Sequence, residues 1–112
     1  MLIDFWAHYC QPCIKEIPHL AEAYQKYKSK KFKIINISVD KEEHYNRWID
    51  VVNKYTSAWD NGIDNFNKAE SAFMAYRGSG IPANFLIDPK GKIIAVDLKG
   101  DNLKNTLDKL LN

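Results

Sequence analysis

The sequence has only two cysteines, no strong excess of charge of either sign and no long hydrophobic run. Two cysteines in 112 residues exclude a small disulfide-rich scaffold. The 16 basic and 14 acidic side chains give a formal net charge of +2, which is too small to indicate nucleic acid or an anionic membrane as the main partner. No stretch approaches the roughly 20 apolar residues of a membrane-spanning helix. We therefore expect a domain that neither binds nucleic acid nor inserts into a membrane.

The composition that is present is that of one globular domain. Apolar residues make up 46% of the chain, and a chain of this length can bury a single core. No repeat, low-complexity stretch or internal linker divides it, so we expect one domain over residues 1–112. Met1 leads directly into an apolar strand, without the pattern of a signal peptide. We interpret this start as that of a domain taken from a longer protein.

Strand and helix patterns alternate along the chain. The runs LIDFWA and KFKIINISVD predict two parallel strands, joined by a helix from Gln11 to about Lys30. A helical stripe from Glu42 to Tyr55, a polar loop from Asn61 to Asn67 and a short helix from Lys68 to Tyr76 follow. The runs IPANFLID and KIIAVDL predict a β-hairpin, and leucines from Leu103 to Leu111 predict a closing amphipathic helix. This order predicts an α/β fold with a mixed sheet covered by helices on both sides.

Both cysteines lie three positions apart, at the start of the first predicted helix. This spacing suits a redox disulfide, half of a metal site or a structural staple. A staple is the weakest of the three, because so short a loop restricts the unfolded chain very little. At the N-cap region of the helix, the pKa of Cys10 would fall from about 8.5 through unpaired backbone N–H groups and the helix dipole. Cys13 lies one turn further in, so Cys10 would attack and Cys13 would resolve the mixed disulfide.

The segment DFWAHYCQPCIKEIP resembles the active-site segment of the thioredoxin superfamily. That pattern is an aromatic-rich strand, then W-A-x-x-C-x-P-C, then a proline five residues after the second cysteine. The resemblance implies that Asp4, six residues before the first cysteine, accepts the proton of the resolving thiol. It also places Pro12 between the cysteines and Trp6 beside Cys10, where we expect both to contribute to the surface that docks a substrate.

A second segment, YRGSGIPANFLID, resembles the substrate loop of the same superfamily. The resemblance implies a cis peptide bond before Pro82 and pairing of the Ile81 backbone with an incoming peptide. The long insertion between Asp40 and Met74, with FLIDPKGKIIA behind it, resembles the TlpA/ResA type of thiol-disulfide oxidoreductase. That type implies a thioredoxin fold, built of a βαβ unit and a C-terminal ββα unit, with a helical insertion after the second strand. The N-terminal hairpin that such domains usually carry has no counterpart here.

The resemblance also implies a function. We expect an enzyme that exchanges disulfides with the cysteines of protein substrates, in the reducing direction and without a cofactor. Its electrons would come from a dithiol donor, and it would work in the bacterial cell envelope or periplasm.

A metal carrier, in particular a copper carrier, is the main alternative, because His8, Cys10, Cys13 and His19 all offer metal ligands. Spacing argues against it, since His19 lies nearly two helical turns beyond Cys13 and no second ligand pair follows. We therefore expect His8 to be an exposed residue that tunes Cys10, and His19 and His44 to be surface residues.

Two further alternatives share the fold. A peroxidase of the peroxiredoxin class needs a threonine three residues before its reactive cysteine, where this chain has Ala7, and a nearby arginine, whereas the nearest in sequence is Arg47. A redox-inert binding module is disfavoured because both cysteines, Asp4 and Pro82 are all present.

Overall fold

A computed structural model of the chain describes residues 1–64, 71–76 and 80–111. Its centre is one five-stranded mixed sheet with the strand order β3-β2-β1-β4-β5. The three strands β1, β2 and β3 are parallel, whereas β4 is antiparallel to β1 and β5 is antiparallel to β4. The sheet confirms the predicted α/β fold with its parallel unit and hairpin. Its strands are β1 (Leu2–Trp6), β2 (Ile34–Ser38), β3 (Asp60–Ile63), β4 (Ala83–Ile87) and β5 (Ile93–Val96).

Four α-helices flank the sheet in the described residues, and each lies where helical periodicity predicted one. Between β2 and β3 the insertion is helical from Glu42 to Thr56, in three segments: a 3₁₀ turn, then α2, then a π-helical turn. A further 3₁₀ turn, Lys28–Lys30, extends α1. The segments are α1 (Gln11–Tyr27), the 3₁₀ turn Glu42–His44, α2 (Tyr45–Val51), the π-helical turn Val52–Thr56, α3 (Ala72–Ala75) and α4 (Gly100–Leu111).

Strand β3 is the element that the sequence analysis assigned wrongly, as part of a polar loop. Three of its four residues, Asp60, Asn61 and Gly62, are types that strands generally disfavour, so the local pattern gives no strand signal. The strand forms because it pairs with β2, with Ile35 opposite Asp60 and Ser38 opposite Ile63. Residues 65–67 of the predicted loop and residues 68–70 of the predicted helix lie outside the described residues.

In the described part of the chain, the core consists of three clusters distributed over the two faces of the sheet. One face of the sheet, with Leu2, Ile34 and Leu86, packs under α1 and α4. The other face, with Ile3 and Phe5, packs against residues of α3. The third cluster lies at the carboxyl end of β1, where the cysteines meet the insertion. Crevices outside the carboxyl ends of parallel strands are where open α/β sheets bind ligands. Among the described residues, no helix is both long enough and apolar enough to span a bilayer.

Candidate active site

The two cysteines lie where β1 passes through a short turn into α1. Cys10 is the N-cap residue of α1, and its sulfur accepts a hydrogen bond from the backbone N–H of Cys13 at 3.3 Å. Their Cα atoms are 5.2 Å apart and a disulfide joins them. Their exposed fractions, 7% and 4%, are too similar to assign separate roles. The N-cap position distinguishes them, because only the Cys10 sulfur faces the unpaired N–H groups of the first turn.

The insertion covers the disulfide from one side. Trp48 of α2 and Val52 of the following turn belong to the same buried cluster as both cysteines. Their exposed fractions are 7% each. Sequence periodicity predicted an apolar stripe here but could not indicate that it would pack on the cysteines, because that contact depends on how the insertion folds back.

Asp4 is buried in the middle of β1, opposite Asn36 of β2 and Asn84 of β4. Burial, followed by the nearby charge of Glu16, raises the pKa of Asp4 from 3.8 to about 7, and a hydrogen bond with the Asn84 side chain opposes the rise. Since side chains alternate along a strand, Asp4 points to the same face of the sheet as Trp6, which packs with both cysteines. A carboxyl group with a pKa near neutrality can both take up and release a proton at physiological pH.

Two polar residues that the sequence analysis did not single out act on this carboxyl group, Glu16 through its charge and Asn84 through a side-chain hydrogen bond. The carboxylate of Glu16, one turn after Cys13, accepts a hydrogen bond from the backbone N–H of Gly100 at 3.1 Å. The Asn84 side chain bonds both the N–H and the C=O of Leu98, each at 2.8 Å. In the sequence, Glu16 could have been noticed only through its spacing from Cys13, and Asn84 only through its position two residues after Pro82. Neither signal identifies a contact through space with Asp4.

The residues predicted to dock a substrate fall into two groups. The Ile81–Pro82 peptide bond is cis, as the resemblance implied. Ile81 is half-buried and packs against the cluster that contains both cysteines, and Pro12 is exposed in the first turn of α1. Trp6 differs from the prediction, because only 1% of it is exposed and it therefore presents almost no surface to a substrate. The exposed aromatic residue next to the cysteines in sequence is Tyr9, which is 58% exposed.

The histidines also differ from the prediction. The His8 side chain is only 15% exposed, and its Nδ1 contacts Oδ1 of the fully buried Asp40 side chain. The ring of His44 lies beside that of His8, with the centroids 5.2 Å apart. His8 and His44 are therefore not simple surface residues, whereas His19 is exposed as expected. Among the described residues, His8, Asp40 and His44 are the one group with metal-binding geometry, and it contains neither cysteine.

Comparison with known proteins agrees with this geometry. The model of the AhpC/TSA family matches residues 1–96. The chain is 32% identical over 111 residues to the thiol-disulfide oxidoreductase ResA of Bacillus thuringiensis subsp. konkukian, covering 99% of this chain and 61% of that protein. It thus spans about three fifths of the length of the curated relatives that it matches first.

Two solved structures resemble the whole chain. One is the thioredoxin domain of a thiol-disulfide oxidoreductase from Bacteroides vulgatus, at 35% identity and a TM-score of 0.89, covering 99% of this chain and 78% of that one. The other is a thiol:disulfide interchange protein from Bacteroides sp., at 35% identity and a TM-score of 0.86, covering 99% and 72%. The chain therefore belongs to the AhpC/TSA family, as a thioredoxin-superfamily domain of the TlpA/ResA type.

Proposed function

We propose that this chain is a thiol-disulfide oxidoreductase domain that reduces disulfides in protein substrates through Cys10 and Cys13. One observation carries the proposal: Cys10 caps α1 with its sulfur, while Cys13 lies one turn behind it within bonding distance. A thiolate at this position accepts hydrogen bonds from the helix N-terminus, which favours the reactive form. The names of the similar proteins support the same chemistry.

The exchange proceeds in two steps. The thiolate of reduced Cys10 attacks one sulfur of the substrate disulfide, which forms a mixed disulfide and releases the other substrate sulfur as a thiolate. The thiolate of Cys13 then attacks the Cys10 sulfur, which closes the Cys10–Cys13 bridge and releases the second substrate sulfur. The substrate gains two electrons and the domain loses two. A dithiol donor of the same chemical class restores the reduced pair by the reverse sequence.

Asp4 supplies the proton acceptor in the second step of this proposal. Cys13 must lose its proton within a site where it is only 4% exposed, so a base has to be available inside the protein. Asp4 is buried on the sheet face beneath α1, and its pKa of about 7 lets it accept that proton at neutral pH. Proton transfer from a positioned side chain typically contributes about 10²–10⁴-fold to a rate.

The docking surface in this proposal consists of the loop that carries Ile81 and Pro82 together with Pro12. Ile81 packs against the cysteine cluster, so a peptide paired with its backbone would pass over Cys10. Pro12 leaves the first turn of α1 without a protruding N–H. Exposed Tyr9 adds an aromatic contact next to the nucleophile.

The partners in this proposal are proteins with accessible cysteines and a dithiol electron donor, and its location is the bacterial cell envelope. The near-zero net charge supports a choice of partner through cysteine chemistry instead of a strong electrostatic field. The location and the reducing direction rest on the resemblance to the TlpA/ResA type.

Replacing Cys13 with Ser tests the proposal. The variant lacks the resolving thiol, so a disulfide substrate should remain attached to Cys10 after one attack. We expect mass spectrometry of non-reduced peptides to find the adduct on Cys10, and we expect addition of dithiothreitol to release it.

The matched control is Cys10→Ser, which keeps Cys13 but removes the proposed nucleophile. It should form little adduct, because Cys13 lies inside the first turn under the insertion. Equal trapping by both variants would contradict the assigned roles, and trapping by neither would contradict disulfide exchange itself.

A further inference from the structure

Three side chains from separate segments meet at the carboxyl edge of the sheet, outside the exchange chemistry, and only His8 among them is close to the cysteines in sequence. His8 follows β1, Asp40 follows β2, and His44 ends the 3₁₀ turn at the start of the insertion. One ligand atom from each lies within 4.8 Å of the other two. The mechanism proposed above assigns no role to this group.

Asp40 is fixed in orientation before any ligand arrives. Its side chain is fully buried, and its Oδ2 accepts hydrogen bonds from the His8 backbone N–H at 3.0 Å and from the Ser38 hydroxyl at 2.6 Å. Its Oδ1 contacts His8 Nδ1. Outer-shell hydrogen bonds of this kind orient the carboxylates and imidazoles of metal sites. Ser38 thus acts as the support for a ligating carboxylate.

His44 has an unused hydrogen-bonding group. Its Nδ1 is buried and has no hydrogen-bond partner among the described residues. Its ring stands at 72° to that of His8, with the centroids 5.2 Å apart. Buried polar atoms in native proteins nearly always have a partner, so each exception requires an explanation. A metal ion coordinated by this nitrogen is one explanation, and the same ion could also bind His8 and Asp40.

We propose that His8, Asp40 and His44 form a binding site for one divalent cation of the zinc class. Two imidazoles and one carboxylate are donors that suit zinc, and three protein ligands leave a fourth position for water or an exogenous ligand. Zinc takes the place of the hydrogen bond between His8 and Asp40, and a neutral His8 ring keeps its proton on the other ring nitrogen. Magnesium and calcium prefer sites made entirely of oxygen ligands, so they bind poorly here.

Ligand spacing sets how far the side chains must move. Zinc–ligand bonds are about 2.0–2.2 Å, so tetrahedral ligand atoms lie roughly 3.4 Å apart. The ligand atoms lie within 4.8 Å of one another, and His8 Nδ1 and Asp40 Oδ1 are already in direct contact. Zinc binding therefore needs a closer approach of His44 and a small opening of the His8–Asp40 pair. Rotation of the His44 ring can supply the approach, and a small rotation of the His8 ring can supply the opening, while Ser38 holds Asp40 in place.

An occupied site would join the turn before Cys10 to the start of the insertion. That insertion supplies Trp48 and Val52, which pack on the cysteines. A cation that binds only the folded chain raises the thermal unfolding midpoint, because it stabilises that state by a free energy that grows with the logarithm of its free concentration. This site differs from the one that a copper carrier would use, because the carrier would bind copper through the cysteines and this site needs neither sulfur.

Calorimetric titration of zinc chloride into the fully oxidised protein tests the site. The closed disulfide keeps both thiolates from binding metal, so the signal reports on other ligands only. We expect one zinc per chain, with a dissociation constant of about 1 µM or tighter and a matching one-zinc mass in native mass spectrometry. His44→Ala and His8→Ala should each weaken binding at least 10-fold, in line with ligand or outer-shell loss in metal sites.

The control variant is His19→Ala, which removes the one exposed histidine and should bind zinc as the wild type does. His44→Gln is the substitute if His44→Ala does not fold, because it keeps a polar side chain of similar volume. Zinc binding no tighter than about 100 µM, or binding that His8→Ala and His44→Ala leave unchanged, would overturn the proposal. Failure of disulfide exchange would not affect this test, since the measurement uses only the oxidised protein.

Discussion

At the scale of single residues, the proposed chemistry depends on a carboxyl group buried in the middle of β1. Asp4 is only 7% exposed, and its neighbours across the sheet are the amide residues Asn36 and Asn84. A charge at such a place is costly unless it is compensated. Here the compensation is incomplete, and burial raises the pKa of Asp4 into the range where it exchanges protons at neutral pH.

The first prediction concerns Asp4→Asn. The amide keeps the shape of the side chain but cannot accept a proton, so resolution of the mixed disulfide should slow about 10²-fold or more at pH 7. The first attack by Cys10 should be almost unaffected, because it needs no proton from Asp4. Rapid mixing with acid quenching separates the two steps.

Asp50→Asn is the control for loss of one negative charge, since Asp50 is exposed on α2. It should leave both steps at the wild-type rate. An Asp4→Asn variant that resolves as fast as the wild type would exclude Asp4 as the proton acceptor.

The second prediction concerns Glu16, whose charge contributes to the raised pKa of Asp4. Glu16→Gln keeps an acceptor for the Gly100 N–H but removes the charge, so the pKa of Asp4 should fall. The midpoint of the pH–rate profile for resolution should therefore move to lower pH, with the plateau rate retained. Glu22→Gln, an exposed position on α1, should leave the midpoint in place. An unshifted midpoint in Glu16→Gln would mean that the profile reports another group.

Sequence alone indicated the residues of the site that belong to local motifs, and missed those that meet only in space. The positions of Cys10, Cys13 and Asp4 and the cis bond before Pro82 could be inferred from motifs that each span a few residues. Glu16, Asn84 and Asp40 could not, because their contacts join segments far apart in the chain. The Glu16–Gly100 bond, for example, spans 84 residues.

At the scale of elements, the same distinction separates the strands. Strands β1 and β2 are rich in apolar and β-branched residues, so their pattern predicts them without knowledge of the fold. Strand β3 has no such pattern and exists because β2 offers an unpaired edge. One side chain holds its start: the Asn61 amide donates to the carbonyls of Thr56 and Trp59 at 2.7 and 2.8 Å, and its oxygen accepts from the Thr56 hydroxyl at 2.9 Å.

The third prediction follows from this anchoring. Asn61→Ala removes three hydrogen bonds at the start of β3, each with a net value of about 1 kcal/mol, so the free energy of unfolding should fall by about 2–3 kcal/mol. Amide hydrogen exchange should become faster in β3 while β1 keeps its protection. Denaturant titration and exchange measured on the same sample give both values.

Asn53→Ala is the control, because Asn53 is exposed in the π-helical turn. Its unfolding free energy should lie within about 0.5 kcal/mol of the wild type. Equal losses in the two variants would mean that Asn61 does not anchor β3.

At the scale of the whole molecule, the buried carboxyl group makes stability depend on pH. Folding raises the pKa of Asp4 from 3.8 to about 7, so the folded chain holds the Asp4 proton in a range where the unfolded chain has lost it. The stabilising contribution is therefore complete below pH 3.8 and disappears as pH rises through about 7. The difference of about three pKa units corresponds to on the order of 4 kcal/mol.

The fourth prediction compares Asp4→Asn with the wild type, both oxidised, by denaturant unfolding between pH 4 and 8. The variant cannot ionise, so its stability relative to the wild type should rise with pH, by on the order of 4 kcal/mol across that range. Taking the difference between the two proteins removes the contribution of all other titrating groups. If the difference in unfolding free energy between the two proteins stayed constant with pH, Asp4 would be ionised to the same extent in the folded and the unfolded state.

In the proposed mechanism the sulfur of Cys10 serves two purposes at once, since it caps the start of α1 and is also the atom that reacts. Serine, aspartate or asparagine could begin the helix as well, but none of them can form a disulfide. Any residue at this position must therefore cap the helix and carry out the chemistry through one atom, so both requirements restrict substitution here. The proposed nucleophile is thereby positioned by the end of a helix, so its orientation toward a substrate does not depend on a loop.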